Sequence, residues 1–170
     1  MRLGRMLAGA CAVGLLAAVA AEAAPSKKRA RRPTQTRRAA RPAAAEAEYL
    51  TGPQARPLPF SEAVRVGGVL YLSGRLGTDE SNALVSGGIR AETKQTMENI
   101  RRVLERHGSS LDRVFKCTVM LADMSEWGAM NEVYVTFFRK DRMPARSAFG
   151  VSGLALGARV EIECWATAKE

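Results

Sequence analysis

Between residues 63 and 167 the spacing of apolar positions switches between a period of two and a period near 3.6, and the switches outline seven segments. Ala63 to Val66 and Val69 to Ser73 read as two strands joined at Gly67-Gly68, a hairpin signal. Gly74, Gly77, Asp79, Ser81 and Asn82 then mark loop. Over residues 89–107, Ile89, Thr93, Met97, Ile100, Val103 and Leu104 recur at helical spacing, with Gly108 just beyond as a stop signal. Val114 to Leu121 is rich in β-branched and apolar residues and predicts a third main strand. Ser125 is placed to cap a second helix over roughly 126–138, with Trp127, Met130, Tyr134 and Phe138 on its buried face. Pro144 closes that region, and Ala145 to Val151 and Arg159 to Thr167 read as the last two strands, separated by a Gly-rich turn.

The order β-β-α-β-α-β-β predicts an α+β domain, a mixed sheet with two helices on one face. The pattern supplies no third helix for the second face. That face is therefore expected to meet another subunit, and closed self-association follows from the shortage.

The segments before residue 49 have another character. Arg2 and Arg5 precede an apolar run from Met6 to Ala21, followed by Ala21-Glu22-Ala23. This is the charged start, apolar middle and small-residue cleavage site of a secretory signal peptide, so residues 1–24 are read as an export signal. The run is shorter than the roughly 20 residues that span a bilayer, which leaves an uncleaved membrane anchor as the alternative. Residues 25–48 contain no aromatic or branched aliphatic side chain and predict a basic disordered linker. The folded domain is then 49–170.

Charge follows the same division. The formal net charge is +9; residues 25–48 hold +6 of it, and the 122 residues that follow carry only +2. The cationic character thus belongs to a tail. Weak contact of that tail with anionic lipid or cell-wall polymer is one expectation, and a solubilising spacer is the other; without interleaved aromatics to stack on bases, nucleic acid is disfavoured. His107 is the single histidine, and Cys11, Cys117 and Cys164 are too scattered for a CxxC site, so multi-histidine metal centres and cysteine zinc motifs are excluded. No P-loop or dinucleotide fingerprint occurs. Cys117 and Cys164 sit inside apolar strand-like runs and are expected as buried unpaired thiols, although a disulfide stays open. His107 ends a helix, where its charge suits the dipole.

Seven stretches in register, PLPFSEAV, VLYLSG, TMENI, LDRVFKCTVMLADM, MNEVYVTFF, MPARSAF and GARVEIECWA, resemble the Rid family of YjgF-type reactive-intermediate deaminases, from about Leu58 to Ala168. The resemblance implies a chorismate-mutase-like fold assembled as a homotrimer, with sites in the clefts between subunits. It also implies hydrolysis of enamines and imines such as 2-aminoacrylate to 2-keto acids and ammonia, with no metal or cofactor.

A 2-imino acid carries a carboxylate that must be held while water attacks the next carbon, and a planar guanidinium can hold it with two parallel hydrogen bonds. Arg146 matches the family's carboxylate-binding arginine and Glu161 its acidic residue for positioning or activating water. Strand alternation puts Glu161, Glu163 and Trp165 on one face, and leaves one carboxylate free to be solvated or paired with Arg159. Ser73 and Gly74 match the family's turn at the cleft, and Asn131 an asparagine that shapes the pocket, with a helix-capping or surface role as its alternative. Phe60 stands where many members have tyrosine and supplies a wall without a hydroxyl. Ala148 replaces a common cysteine at a position that contributes mainly backbone. Arg75 replaces a neutral residue and is expected to alter charge at the cleft mouth. The alternative to an exported deaminase is a non-enzymatic trimer of the cell envelope that binds small ligands or unfolded chains. A ribonuclease activity, attached to some relatives, is poorly served by a nearly neutral domain with one histidine.

Overall fold

The computed structural model describes residues 45–53 and 58–169. The signal-peptide segment and nearly all of the basic linker lie outside the described residues. Among the described residues seven strands and two helices follow in the order β1 (Ala47–Leu50), β2 (Ala63–Val66), β3 (Val69–Leu72), β4 (Arg75–Leu76), α1 (Gly88–Arg106), β5 (Val114–Leu121), α2 (Trp127–Tyr134), β6 (Ala145–Gly150) and β7 (Val160–Thr167). They form one mixed sheet in the order β1-β2-β3-β7-β5-β6, with β4 pairing β7 beyond the end of β3. Among the described residues only the β5–β6 pair is parallel.

The elements form for local reasons. The β2–β3 hairpin turns at Gly67, whose φ of 58° is open to glycine at no steric cost. α1 buries Ile89, Met97, Ile100 and Leu104 along one stripe. Its two buried threonines do not strand their hydroxyls, because Thr93 Oγ1 donates to the Ile89 carbonyl at 2.6 Å and Thr96 Oγ1 to that of Glu92 at 2.8 Å. Gly108, at φ 74°, ends the helix as the sequence predicts. On β7 the burial alternates strictly, with Val160, Ile162, Cys164 and Ala166 buried under the helices.

Several expectations need correction. β1 begins at Ala47, two residues inside the segment assigned to the linker; it pairs with β2, and Glu48 bonds Arg65 across the pair at 2.6 Å. The second helix stops at Tyr134 and continues as a 3₁₀ turn over Val135–Phe137. Ser125 does not cap it: a 3₁₀ turn at Met124–Glu126 comes first, and there the Asp123 carboxylate accepts from the Ser125 amide. Trp127 is 40% exposed rather than buried.

The expectation of free thiols also fails. Cys117 and Cys164 face each other directly across the antiparallel β5–β7 pair and form a disulfide. Their Cα atoms are 4.2 Å apart, the close spacing of a non-hydrogen-bonded antiparallel pair, and both side chains are fully buried. Both cysteines are buried on strands, as their apolar runs predict; the register that makes the two burials one bond joins residues 47 apart in sequence.

The helices cover one face of the sheet. On the other, Tyr71 and Phe115 pack edge-on against Trp165 at ring separations of 5.0 and 6.5 Å, and Phe149 is 45% exposed. Among the described residues nothing covers this aromatic face.

Candidate active site

Arg146 lies on β6, the edge strand, and opposite Cys117 in the parallel register. Cys117 points toward the helices, so its neighbour does too. There α2 receives the guanidinium. Its NH1 donates to Asn131 Oδ1 at 2.8 Å, and its carbon stands 4.7 Å from the Tyr134 ring centre and 5.7 Å from that of Trp127. These are cation–π distances. They explain why Trp127 is turned outward: its indole is spent on the arginine. Asn131 therefore does not cap a helix but holds the arginine in place. Tyr134 is buried beneath, and burial pushes its pKa up to about 12 against the opposing pull of Arg146. Ala148 follows on the same side of β6, partly buried against the core.

Glu161 lies on β7 and opposite Met120, on the uncovered face. Its carboxylate rests on Gly74: a Cβ added there would stand 1.9 Å from Oε1. Gly74 and Ser73 form the gap between β3 and β4, and Ser73 Oγ donates to the Ser61 carbonyl at 2.7 Å. Phe60, one residue earlier, is 55% exposed. Ser73, Gly74, Glu161 and the Phe60–Ser61 segment thus form a second group.

The two carboxylates of β7 separate clearly. Glu163 accepts from Trp165 Nε1 at 2.6 Å, whereas Glu161 has no hydrogen bond among the described residues. Burial raises the Glu161 pKa above its ordinary value, and the charge of Glu163 adds to the rise. Arg159, expected as a partner for one of them, instead pairs with Glu126 at 2.6 Å and donates its amide to Glu92 at 2.8 Å.

Arg146 and Glu161 do not meet within one chain. β5 lies between their strands, and the two side chains leave the sheet on opposite faces.

Arg75 corrects another expectation. Opposite Ile162 on β4, it is directed under the helices, away from Glu161. Its NH2 is 2.7 Å from Glu62 Oε1. Glu62, 4% exposed, also receives Arg106 NH1 at 2.6 and 2.7 Å and stands 2.8 Å from His107 Nε2. Burial alone would raise the Glu62 pKa. The bonds from Arg106 and His107 and the charges of Arg75 and Arg106 outweigh it and hold the carboxyl below its ordinary value. The sequence offered no signal for this cluster, whose members lie up to 45 residues apart.

The family described as Endoribonuclease L-PSP matches residues 53–168. A mouse protein named 2-iminobutanoate/2-iminopropanoate deaminase is 44% identical over 106 residues, covering 62% of this chain and 78% of its own. The human protein of the same name is 42% identical, covering 62% and 77%. A solved structure from Yersinia pestis, described as a protein of unknown function of the conserved Rid family, superposes with a TM-score of 0.67 at 31% identity, over 72% of this chain and all of that one. A matched span that takes in both groups of residues, carried on the same mixed sheet, makes this chain a member of the L-PSP (YjgF/Rid) family.

Proposed function

We propose that this protein is an exported imine and enamine deaminase that converts 2-aminoacrylate-like 2-imino acids to 2-keto acids and ammonia, at sites between subunits of a homotrimer. Relatives at 42–44% identity carry the name 2-iminobutanoate/2-iminopropanoate deaminase, and hydrolysis of imines is the activity they support for this chain. The observation that carries the finer reading is the separation of Arg146 from Glu161. Each is presented at an open surface with part of a site around it, and only a second copy can bring the missing part.

The chemistry follows from the two groups. The Arg146 guanidinium has five N–H donors and gives one to Asn131, which leaves a pair free for a carboxylate. Glu161, lacking a partner, takes a proton from water as the oxygen adds to the imine carbon. The resulting carbinolamine takes that proton on its nitrogen and collapses to the ketone as its hydroxyl proton leaves with the ammonia, so water and iminium give keto acid and ammonium with Glu161 restored as carboxylate. An enamine first takes a proton at its terminal carbon to become the imine. Export is supported by the leader at residues 1–24 and by the Cys117–Cys164 disulfide, a bond that persists in oxidising compartments. An uncleaved leader would leave the same domain tethered to the membrane.

Release of keto acid from freshly generated 2-aminoacrylate, compared with background and with an Arg146→Ala control, tests the activity. Two further outcomes test the roles. Gly74→Ala should leave the melting temperature within a few degrees, because the clash is with the flexible end of Glu161, yet lower kcat roughly 10–100-fold by displacing that carboxylate. Glu163→Gln keeps an acceptor for Trp165 and removes a charge that raises the Glu161 pKa. The acid limb of kcat/KM against pH should move to lower pH, and a limb that stays in place would separate Glu161 from the rate.

A further inference from the structure

We infer that Arg75 is a positioning residue and that the buried Glu62–Arg75–Arg106–His107 cluster holds the Ser73–Gly74 wall on which Glu161 rests; the catalytic part of this inference rests on the deaminase reading above. The cluster is outside the chemistry already assigned, and its placement is costly. A buried carboxylate loses several kcal/mol of hydration, which only close partners recover. Glu62 has three, drawn from two separate elements: Arg75 from β4, and Arg106 with His107 from the end of α1.

The main chain repeats the same connection. The Ser73 amide donates to the Glu62 carbonyl at 3.1 Å, and Ser73 Oγ donates to that of Ser61. Residues 61–62 and 73–75 are therefore tied to each other by backbone and to the helix terminus by charge. Gly74 sits between the two opposed side chains. Arg75 leaves the sheet toward the helices and Glu161 lies against Gly74 on the other face, so the ion pair fixes from below the backbone that carries the carboxylate above. Arg75 Nε and NH2 are both buried without a hydrogen bond among the described residues, so the charge contact of NH2 with Glu62 Oε1 is what anchors the guanidinium. A purely stabilising cluster has no reason to attach to the one residue that follows Gly74. Buried ion pairs are in general weak sources of stability, and in some proteins they fix one conformation instead.

The test uses the full chain with Arg75→Gln, with Arg75→Lys, and with the double variant Glu62→Gln/Arg75→Gln. Two quantities are read, amide hydrogen exchange by segment and keto-acid release. In Arg75→Gln, exchange at residues 73–76 should rise at least tenfold while β5 stays protected. kcat should fall about tenfold with KM little changed, because Arg146 still grips the substrate. Arg75→Lys keeps the charge without the planar fork and should fall between wild type and Arg75→Gln. The double variant removes both charges, leaves half-exposed Arg106 to solvent, and should recover protection at 73–76 relative to Arg75→Gln. Unchanged exchange at 73–76, or a rise spread evenly over the sheet, overturns the inference. A wild-type protein that releases no keto acid would overturn the deaminase reading instead, and the exchange data would still decide the role of the cluster.

Discussion

Truncating Arg146 to alanine is expected to lower kcat/KM for a 2-imino acid by about 10²–10³, corresponding to roughly 3–4 kcal/mol for a lost charge-assisted pair in a partly desolvated site. The effect should fall mainly on KM, because the guanidinium grips the carboxylate both before and during attack. Arg146→Lys should recover only a small part. Lysine keeps the charge but cannot make two parallel bonds, and it loses the fit of a flat guanidinium against Tyr134 and Trp127. The fold should tolerate both changes, since Arg146 is only half-buried on an edge strand. Steady-state rates beside thermal melting curves provide the check. A variant that melts normally and retains the wild-type kcat/KM would remove Arg146 from substrate binding.

Replacing both cysteines, Cys117→Ala with Cys164→Ala, is expected to cost about 4 kcal/mol. That is the entropy of closing a loop 47 residues long in the unfolded chain. For a domain of this size the melting temperature should drop by roughly 10–20 °C. The two side chains are fully buried between β5 and β7, so the bond should resist mild reductant in the native state and yield after denaturation. Differential scanning calorimetry of the double variant, with thiol titration of native and denatured wild type, separates these expectations. A double variant melting within about 3 °C of the oxidised protein would show that packing alone holds β5 to β7.

The parts of the molecule legible in sequence are those whose cause is local. Period-two burial on β7 and the helical stripe of α1 depend on neighbours within a few residues, and both are where the pattern puts them. The motifs single out Arg146, Asn131 and Gly74, and in the fold Arg146 bonds Asn131 while Gly74 lies against Glu161. What stayed hidden depends on register between distant strands. Two cysteines in apolar runs look the same whether they face each other or not, and only the β5–β7 pairing joins them. β1 is four residues beside a low-complexity tail and exists because β2 offers it an edge. Arg75 looked like a residue of the cleft because it follows Gly74, but one step along a strand reverses the face, and Ile162 opposite it marks the covered side. Trp127 has the spacing of a core residue and the surroundings of a binding group.

β7 is the last of the described elements in the chain, yet it lies in the interior of the sheet, between β3 and β5. Until residues 160–167 emerge from the ribosome, the β1–β3 ribbon and the β5–β6 pair are two incomplete sheets with bare edges where β7 will pair. The sheet therefore cannot close before residues 160–167 have been made. Assembly waits for the whole segment and proceeds through contacts far apart in sequence, a slow topology.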